Sequence, residues 1–330
     1  MDFRARLATA SRLRLAIVPT PLRPVPALER WLDASVGAAA PRLLVKHDDQ
    51  TGFGLGGNKV RKLEYELAPD RLEGVTCIVT TGGPQSNHAR VTAAAAAWLG
   101  LECVIVTNGA APEPFRGNAL LQRRFGARIE TVSGRDERAP TMERIADEVA
   151  AAGGRARVVP LGASTAHGAL GYVRAFMELD DELEPGGPRT WVFVSASSGG
   201  TLAGLHLGRA LCGRDDVTLV AVSADTPAGE LRAVADRLAT EAATLLGVEA
   251  RLDAERLVVV DDQVGEGYGL PTAASTEAAS VFARRAGLIL DDTYTAKAAA
   301  GLLAALRSGT VAAPDRVVFW HTGGWPAVFA

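Results

Sequence analysis

Strand-like and helix-like segments alternate along most of this chain of 330 residues. Short runs rich in β-branched residues are followed by longer runs rich in Ala and Leu that have a helical repeat. This alternation is typical of parallel sheets, because consecutive parallel strands are usually joined by a helix. The sequence therefore predicts an α/β protein built on parallel sheets.

The predicted segments form two series, which indicate two sheets. The first series has strands over 76–80, 103–107, 128–132 and 157–160, with helices over 87–99, 116–125 and 140–152. The second has strands over 190–194, 218–223, 256–260 and 316–320, with helices over 201–212, 228–246, 272–286 and 296–308. A strand over 42–46 would begin the second, larger sheet and make the first series an insertion. We therefore expect a large domain from 1–70 and 170–330 and a small domain, 71–169, with a four-stranded sheet.

Charge and composition narrow the classes of partner. The 35 Lys and Arg residues against 38 Asp and Glu leave a net charge of -3, which offers no basic surface for nucleic acid or an anionic membrane. No apolar run approaches the ~20 residues of a membrane span. Cys77, Cys103 and Cys212 lack metal-ligand or disulfide spacing. We expect a cytoplasmic protein with no nucleic acid, membrane or metal partner.

A glycine-rich segment ends in a lysine. Residues 47–64 contain four glycines before Asn58 and Lys59, at the start of an amphipathic helix. A lysine crowded by backbone loses hydration, so its pKa falls toward neutrality, as imine chemistry requires. The alternative is a solvated lysine at a helix start beside Arg61 and Lys62. Spacing alone leaves both interpretations open.

A loop of small residues follows the predicted strand 190–194. Backbone N–H groups at a helix N-terminus, with Ser and Thr hydroxyls, suit one phosphate group, although a tight connection between strand and helix is equally consistent. Neither a Walker A lysine nor a G-x-G-x-x-G pattern is present, so nucleotide binding is disfavoured. One phosphate loop and one imine-forming lysine are together what pyridoxal 5'-phosphate requires.

A third loop, over 80–90, again lies between a strand and a helix. Ser86 falls at the N-cap, where its hydroxyl serves the helix, or where the helix N-terminus receives the carboxylate of an amino-acid substrate. His88 taken alone is typical of a packed helix residue. Tyr268 and Tyr294 taken alone are typical of aromatic core packing.

Six motifs occur in the order seen in D-cysteine desulfhydrases and 1-aminocyclopropane-1-carboxylate (ACC) deaminases. They lie at 56–64, 85–90, 197–205, 267–271, 292–298 and 321–327. From Pro19 to its C-terminal residues the chain resembles this family, which belongs to the tryptophan-synthase-β-like, fold-type-II pyridoxal-phosphate enzymes. The resemblance implies a large domain that binds the cofactor and a small inserted domain that closes over the substrate.

The resemblance also implies roles for individual residues. Lys59 corresponds to the Schiff-base lysine, and Lys62 assists a phosphate loop made of Ser197, Ser198, Gly199, Gly200 and Thr201. Asn87 is expected at the ring hydroxyl of the cofactor, and Thr322, aided by Thr295, near its ring nitrogen. Substrate contacts are expected from Ser86, Asn87, His88, Tyr268, Tyr294 and Trp325. The catalytic set is then Lys59, Ser86, Tyr268 and Tyr294.

The implied reaction is the removal of a β-substituent from D-cysteine or a related amino acid, with pyruvate and ammonia as the other products. ACC deaminases follow the second tyrosine with a glutamate, whereas this chain has Thr295, which favours the desulfhydrase branch. The chain departs from the family pattern at six positions, which leaves the substrate open: Pro84, Thr165, His167, Asp292, Ala296 and Trp325. If Trp325 or His167 reaches the pocket, the leaving group need not be a simple thiol. The alternatives are ACC deamination, L-cysteate sulfo-lyase activity and a non-catalytic ligand-binding protein on the same fold. We expect a homodimer.

Overall fold

The structure of the protein, a computed structural model, describes residues 2–36 and 39–330. Its strands are β1 (Leu22–Pro24), β2 (Arg42–His47), β3 (Cys77–Thr81), β4 (Glu102–Asn108), β5 (Arg128–Val132), β6 (Ala156–Val159), β7 (Thr190–Ala196), β8 (Val217–Ser223), β9 (Leu257–Val260) and β10 (Arg316–His321). Its α-helices are α1 (Phe3–Thr9), α2 (Pro26–Val36), α3 (Lys59–Glu66), α4 (Asn87–Leu99), α5 (Gly117–Arg124), α6 (Arg138–Ala151), α7 (Ala166–Glu182), α8 (Gly200–Leu211), α9 (Ala228–Leu246), α10 (Ala273–Ala286) and α11 (Thr295–Arg307).

The strands form two sheets, and the predicted α/β fold with parallel sheets is confirmed. The larger sheet has the order β1-β2-β10-β7-β8-β9 and the smaller one β5-β4-β3-β6. Every strand pair is parallel except β1 with β2. The strands of the smaller sheet all lie between β2 and β7 in sequence, as an insertion into the larger sheet requires. The domain limits 71–169 stay a prediction.

The central strands of the larger sheet are buried on both faces. Every residue of β7 and β8 is buried, as in parallel sheets covered by helices on each side. Successive side chains alternate between two hydrophobic clusters: Val192 and Trp320 belong to one, Phe193 and Phe319 to the other. The core of this sheet therefore lies on both of its sides, beneath helices that flank the strands.

Helix α7 packs closely against two other helices. A Cβ on Gly171 would lie 2.2 Å from the carbonyl oxygen of Arg61 on α3. A Cβ on Gly204 of α8 would lie 2.2 Å from the carbonyl oxygen of Ala169. The glycines thus let α3 and α8 approach the backbone of α7. Through this packing α7 supports the start of both helices, where Lys59 and Gly200 lie.

Within residues 2–36 and 39–330, no helix is both long enough and apolar enough to cross a membrane. In the same residues, no cluster of three or more His, Cys, Asp or Glu side chains is arranged to hold a metal ion.

Candidate active site

A cavity of about 410 Å³ lies between the two sheets. Its wall includes residues that follow the carboxyl ends of β3, β7, β8 and β10, which is where open parallel sheets bind their ligands. The structure brings many of the predicted site residues to this wall: Lys59, Ser86, Asn87, His88, Ser197, Ser198, Gly199, Thr201, Tyr268, Tyr294 and Thr322.

The glycine-rich loop before α3 determines the position of Lys59. Gly56 has a φ of 68°, and a Cβ there would lie 2.3 Å from the carbonyl oxygen of Asp49, so the loop excludes other residues at this position. The Arg90 Nη2 donates a hydrogen bond of 3.0 Å to the Gly56 carbonyl. Lys59 begins α3, and its Nζ lies 3.0 Å from the side-chain oxygen of Asn58.

The environment of Lys59 favours its neutral amine. Burial lowers the pKa of Lys59 to about 8, Asp291 opposes this shift, and the positive charge of Arg90 adds to it. An amine with this pKa is partly unprotonated at neutral pH, so it can attack a carbonyl group or accept a proton. The sequence left open whether Lys59 is crowded by backbone or solvated. Its desolvated surroundings favour the crowded lysine.

Lys62 lies about one turn after Lys59 on α3, and its Nζ reaches the start of α8 beside Gly200. Its Nζ donates to Ser164 Oγ at 2.9 Å. That hydroxyl also accepts from the Gly200 N–H at 3.2 Å and lies 2.8 Å from Ser198 Oγ. A Cβ on Gly200 would lie 2.8 Å from Lys62 Nζ, so glycine keeps this corner open.

This corner, which we call the phosphate cradle, consists of Lys62, Ser164, Ser198 and Gly200, and it fits a phosphate monoester. In the described part of the chain no carboxylate lies within ion-pair distance of Lys62 Nζ, although the ammonium is buried. Burial, and then the charge of Lys59, lowers the pKa of Lys62 well below its usual value. An anion bound beside Nζ would raise this pKa again, because it would stabilise the ammonium. The donor set of an ammonium, two hydroxyls and the N-terminus of α8 is the one that phosphate binding uses. The residues present therefore fit the phosphate of pyridoxal 5'-phosphate.

The N-terminus of α4 forms another part of the wall. Ser86 is the N-cap, and its Oγ accepts from the Ala89 N–H at 3.2 Å. Asn87 Oδ1 accepts from Asn118 Nδ2 at 2.9 Å. Ser86 thus caps α4, as one of the two interpretations predicts. Because Ser86 also lies on the cavity wall, the N-terminus of α4 can receive a substrate carboxylate as well.

His88 is a neutral imidazole. The Thr80 hydroxyl donates to the Val159 carbonyl, so His88 Nε2, 2.8 Å from that hydroxyl, must be the donor of their hydrogen bond. His88 Nδ1 is then an acceptor, and it is buried without a hydrogen-bond partner in residues 2–36 and 39–330. Burial, followed by the charges of Lys59 and Lys62, lowers the pKa of His88 well below its usual value.

Tyr268 and Tyr294 meet at the cavity wall. Their hydroxyl oxygens are 2.5 Å apart and their rings pack edge to face, with centroids 5.8 Å apart. Burial raises the pKa of both phenols, that of Tyr294 well above its usual value. Both hydroxyls are therefore protonated at neutral pH, and one of them donates the hydrogen bond that joins the pair.

Thr322 and Thr295 have different surroundings. Thr322 Oγ1 lies 2.9 Å from Ser195 Oγ, and both residues line the cavity. Thr295 is absent from the described cavity wall, and its hydroxyl donates to Asp291 Oδ1 at 2.7 Å. Burial raises the pKa of Asp291, while hydrogen bonds from Thr295 and Tyr294 oppose this. The structure thus places only Thr322 of this pair at the cavity.

Two other residues from the sequence analysis lie away from the cavity. The ring of Trp325 packs edge to face on Phe329, with centroids 6.3 Å apart, and is not among the residues described on the cavity wall. His167 Nδ1 lies 3.0 Å from Arg71 Nη1 on the outer side of α7. Neither ring is brought together with Lys59.

Several cavity or cradle residues were missed by sequence reasoning. Asn58 Nδ2 donates to Thr201 Oγ1 at 3.0 Å and so links the lysine loop to the phosphate loop. Asn58 stands next to Lys59 in the first motif, which is a signal that could have identified it. The others carry no comparable local pattern: Ser164, Ser195, Arg135, Arg138 and Asp225.

Comparison with known proteins extends these observations. The model of the family described as "Pyridoxal-phosphate dependent enzyme" matches residues 13–323. The chain is 36% identical over 329 residues to a D-cysteine desulfhydrase of Klebsiella pneumoniae subsp. pneumoniae, covering 97% of this chain and 95% of the relative. A D-cysteine desulfhydrase of Salmonella newport is also 36% identical, over 324 residues, with the same coverage of both chains.

Solved structures show the same fold. A crystal structure described as an ACC deaminase homologue superposes with a TM-score of 0.88 and 34% identity, over 99% of this chain and 96% of the other. A pyridoxal 5'-phosphate-dependent aspartate racemase, 15% identical with a TM-score of 0.69, covers 98% of this chain and 94% of its own, and shares the fold. With its family match, its relatives and a cavity that fits the cofactor, the chain belongs to the pyridoxal-phosphate-dependent enzymes.

Proposed function

We propose that the protein is a pyridoxal-phosphate-dependent lyase that removes the β-substituent of D-cysteine or a closely related amino acid. The observation that carries this proposal is the desolvated Lys59 amine, with a pKa of about 8, on the same cavity as a phosphate cradle and two protonated tyrosines. The similarity to D-cysteine desulfhydrases over 97% of the chain supports the choice of substrate.

Pyridoxal phosphate, when bound, supplies an electron sink for the charge that develops at the substrate Cα. Lys62, Ser198 and Gly200 would hold its phosphate, and Ser86 and Asn87 at the start of α4 would hold the substrate carboxylate. The Lys59 amine would take the Cα proton. The Cβ–S bond would then break with its electron pair leaving on sulfur, and water would convert the remaining enamine to pyruvate and ammonia.

Thr322 is expected beside the ring nitrogen of the cofactor. A hydroxyl paired with Ser195 is a neutral partner, so it does not strengthen the electron sink as a carboxylate would. Substrates with a good β-leaving group should then react faster than substrates that need a long-lived charge at Cα. The neutral partner therefore supports elimination over transamination.

The test is a panel of D- and L-cysteine, β-chloroalanine of both hands, alanine and ACC, followed by pyruvate, 2-oxobutyrate and ammonia formation. We expect pyruvate from D-cysteine and β-chloro-D-alanine, and slow or no reaction with alanine. Efficient 2-oxobutyrate formation from ACC, with β-substituted alanines inert, would contradict the proposal. ACC deaminase activity is the second candidate, which the ACC deaminase homologue at a TM-score of 0.88 supports.

A third candidate follows from two arginines on the cavity wall. Arg135 and Arg138 both line the cavity, and Arg138 forms no ion pair with a carboxylate in the described structure. Guanidinium groups recognise oxyanions, so an anionic β-substituent such as the sulfonate of L-cysteate is compatible with this wall. Sulfite release from L-cysteate, measured in the same panel, separates this candidate from the first.

We also propose a homodimer. Ile17, Phe53, Leu55 and Trp98 form a surface that we call the apolar patch: Ile17 is 70% exposed, Trp98 60%, and the rings of Phe53 and Trp98 are in edge contact. A Cβ on Gly52 would touch Ile17, which places that residue beside the same loop. Exposed apolar groups packed together are typical of surfaces covered by another protein.

A cytoplasmic location is proposed from the thiols. Cys77, Cys103 and Cys212 are all free, and the first two are buried. Free thiols are usual in reducing compartments. Fractionation of cells that express the tagged protein tests this location.

A further inference from the structure

Lys297 is a fully buried lysine in the first turn of α11. Its Nζ lies 3.2 Å from the carbonyl oxygen of Ala224, 2.8 Å from that of Val264 and 2.9 Å from that of Gly267. An ammonium group has three hydrogens, so these three backbone carbonyls use all of them. No carboxylate of the described residues forms an ion pair with Lys297, so all of its hydrogen bonds go to peptide oxygens. The charges of Asp225 and Asp291 act on it from beyond ion-pair distance, and both oppose the lowering of its pKa by burial.

The three carbonyls belong to segments that reach the cavity. Gly267 immediately precedes Tyr268, and Ala224 immediately precedes Asp225, which lines the cavity. Val264 lies in the same connection as Tyr268. The ammonium therefore fixes the backbone beside two cavity residues.

The connection that carries Tyr268 has few other ties. Residues 261–272 contain neither helix nor strand, and Gly265, Gly267 and Gly269 all have positive φ. The described backbone hydrogen bonds within it are local, from the Val264 N–H to Asp261 and from the Leu270 N–H to Gly267. Lys297 thus supplies the hydrogen bonds that join the middle of this connection to the body of the larger sheet.

Lys297 also shares a helical turn with the other tyrosine. Tyr294 directly precedes α11, and its hydroxyl is 2.5 Å from that of Tyr268. The distance between the two hydroxyls is therefore determined by how the connection is held against the first turn of α11. The three hydrogen bonds of Lys297 join the first turn of α11 to this connection and to Ala224.

We propose that Lys297 is a positioning residue, whose ammonium acts as a built-in cation that holds Tyr268 against Tyr294 at the cavity wall. This inference rests on the proposed role of the two tyrosines in the lyase reaction. It assigns no contact with substrate or cofactor to Lys297. A misplacement of about 1 Å at a reacting group is enough to cost about a hundredfold in rate.

The test uses two variants. Lys297→Met keeps most of the volume without a charge or a donor, and we expect its kcat to fall about 10- to 100-fold, with cofactor affinity close to that of the wild type. Lys297→Ala leaves space for propylammonium, which matches the atoms removed beyond Cβ. Added propylammonium should restore kcat of Lys297→Ala severalfold, whereas 1-propanol, which has the same length but no charge, should not. Wild-type kcat in Lys297→Met, or equal effects of the two additives, would overturn the proposal.

Hydrogen exchange of the backbone amides in 262–271 gives a readout that needs no substrate. Exchange in this segment should rise in Lys297→Met and in Lys297→Ala, and propylammonium should reverse the rise in Lys297→Ala. If the wild type turns over none of the panel, the proposed function fails while this measurement still decides the role of Lys297. Unchanged exchange in both variants contradicts that role.

Lys46 provides a matched control. It is also a fully buried lysine of the larger sheet, and it is not among the residues described on the cavity wall. Its Nζ donates to the Thr20 carbonyl at 2.8 Å and forms an ion pair with Glu182. Lys46→Met should lower the melting temperature without raising exchange in 262–271, and its folded fraction should keep wild-type kcat. If Lys46→Met reproduces the kinetic defect of Lys297→Met, the effect is general destabilisation and the proposal is wrong.

Discussion

The position of Lys59 depends on the backbone of the glycine-rich loop that precedes it. Its loop needs glycine at position 56, because a Cβ there would meet the Asp49 carbonyl at 2.3 Å. Its pKa of about 8 follows from burial, with a contribution from the charge of Arg90. Position and protonation state thus have separate causes, one in the loop and one in the surroundings of the side chain.

Replacement of Lys59 tests its assignment as the cofactor-bearing lysine. Lys59→Ala should bind no cofactor covalently and should lose turnover completely, because Lys59 is the one lysine among the residues described on the cavity wall. Absorbance of the purified protein and an assay for pyruvate measure both effects. Borohydride reduction of the wild type followed by peptide mapping is the control. A phosphopyridoxyl group on another lysine would disprove the assignment.

Gly200 tests the phosphate cradle. Gly200→Val should reduce cofactor affinity tenfold or more, about 1.4 kcal/mol, because its Cβ would lie 2.8 Å from both Lys62 Nζ and Ser164 Oγ. Gly229 is a matched control in the first turn of α9, where a Cβ would have no neighbour within 4 Å. Gly229→Val should bind the cofactor like the wild type. Equal affinities for the two variants, from fluorescence titration, would mean that the loop does not hold the phosphate.

At the scale of elements, nine of the ten described strands and most helices were predictable from periodicity, and the long helix α7 was not. Its sequence contains Gly168 and Gly171, which read as a break in a helical pattern. In the structure Gly171 allows α3 to approach, so the glycine serves packing between helices that are remote in sequence. Local sequence carries no sign of that partner.

The short elements before β2 were also missed. Strand β1 has three residues, and its pairing with β2 depends on a partner about 20 positions away. In the candidate site, the positions of Lys59 and of the loop 197–201 beside the cavity were predictable because each belongs to a local motif, while their roles stay predictions. Asp291 was not, because its burial against the start of α11 depends on how the chain folds around it.

Helix α8 contains a buried histidine that should make stability depend on pH. His206 has no hydrogen-bond partner for either ring nitrogen in the described residues, and burial lowers its pKa to about 4. In the unfolded chain this histidine binds a proton near pH 6.5, whereas in the folded protein it does so only near pH 4. The free energy of unfolding therefore falls as the pH drops from about 6.5 to about 4, by ~3 kcal/mol in all. Urea unfolding at several pH values should show this slope.

His206→Leu should flatten the slope, because the folded and unfolded states then differ by one proton fewer. His167→Leu is the control: its ring is only partly buried, so less of the slope should disappear. A wild-type protein equally stable at pH 5 and pH 7.5 would contradict the interpretation of His206.

At the scale of the whole molecule, the cavity lies between two sheets while the apolar patch lies on the outside, beside the loop that leads to Lys59. Trp98→Glu places a charge in this patch and should convert the proposed dimer to a monomer, measured by sedimentation velocity. Leu245→Glu is the control, since Leu245 is 44% exposed on α9 outside the patch. A monomeric wild type, or a dimeric Trp98→Glu, would disprove the proposed interface.

Strand β1 limits how copies of this protein can associate. It ends the larger sheet at one side, has three residues, and includes Pro24, which lacks an N–H to donate to another strand. At the opposite edge Arg232 occupies the Leu257 carbonyl on β9. Both edges of the larger sheet are therefore poor templates for a strand of a second copy, and fibril formation through these native edges is disfavoured.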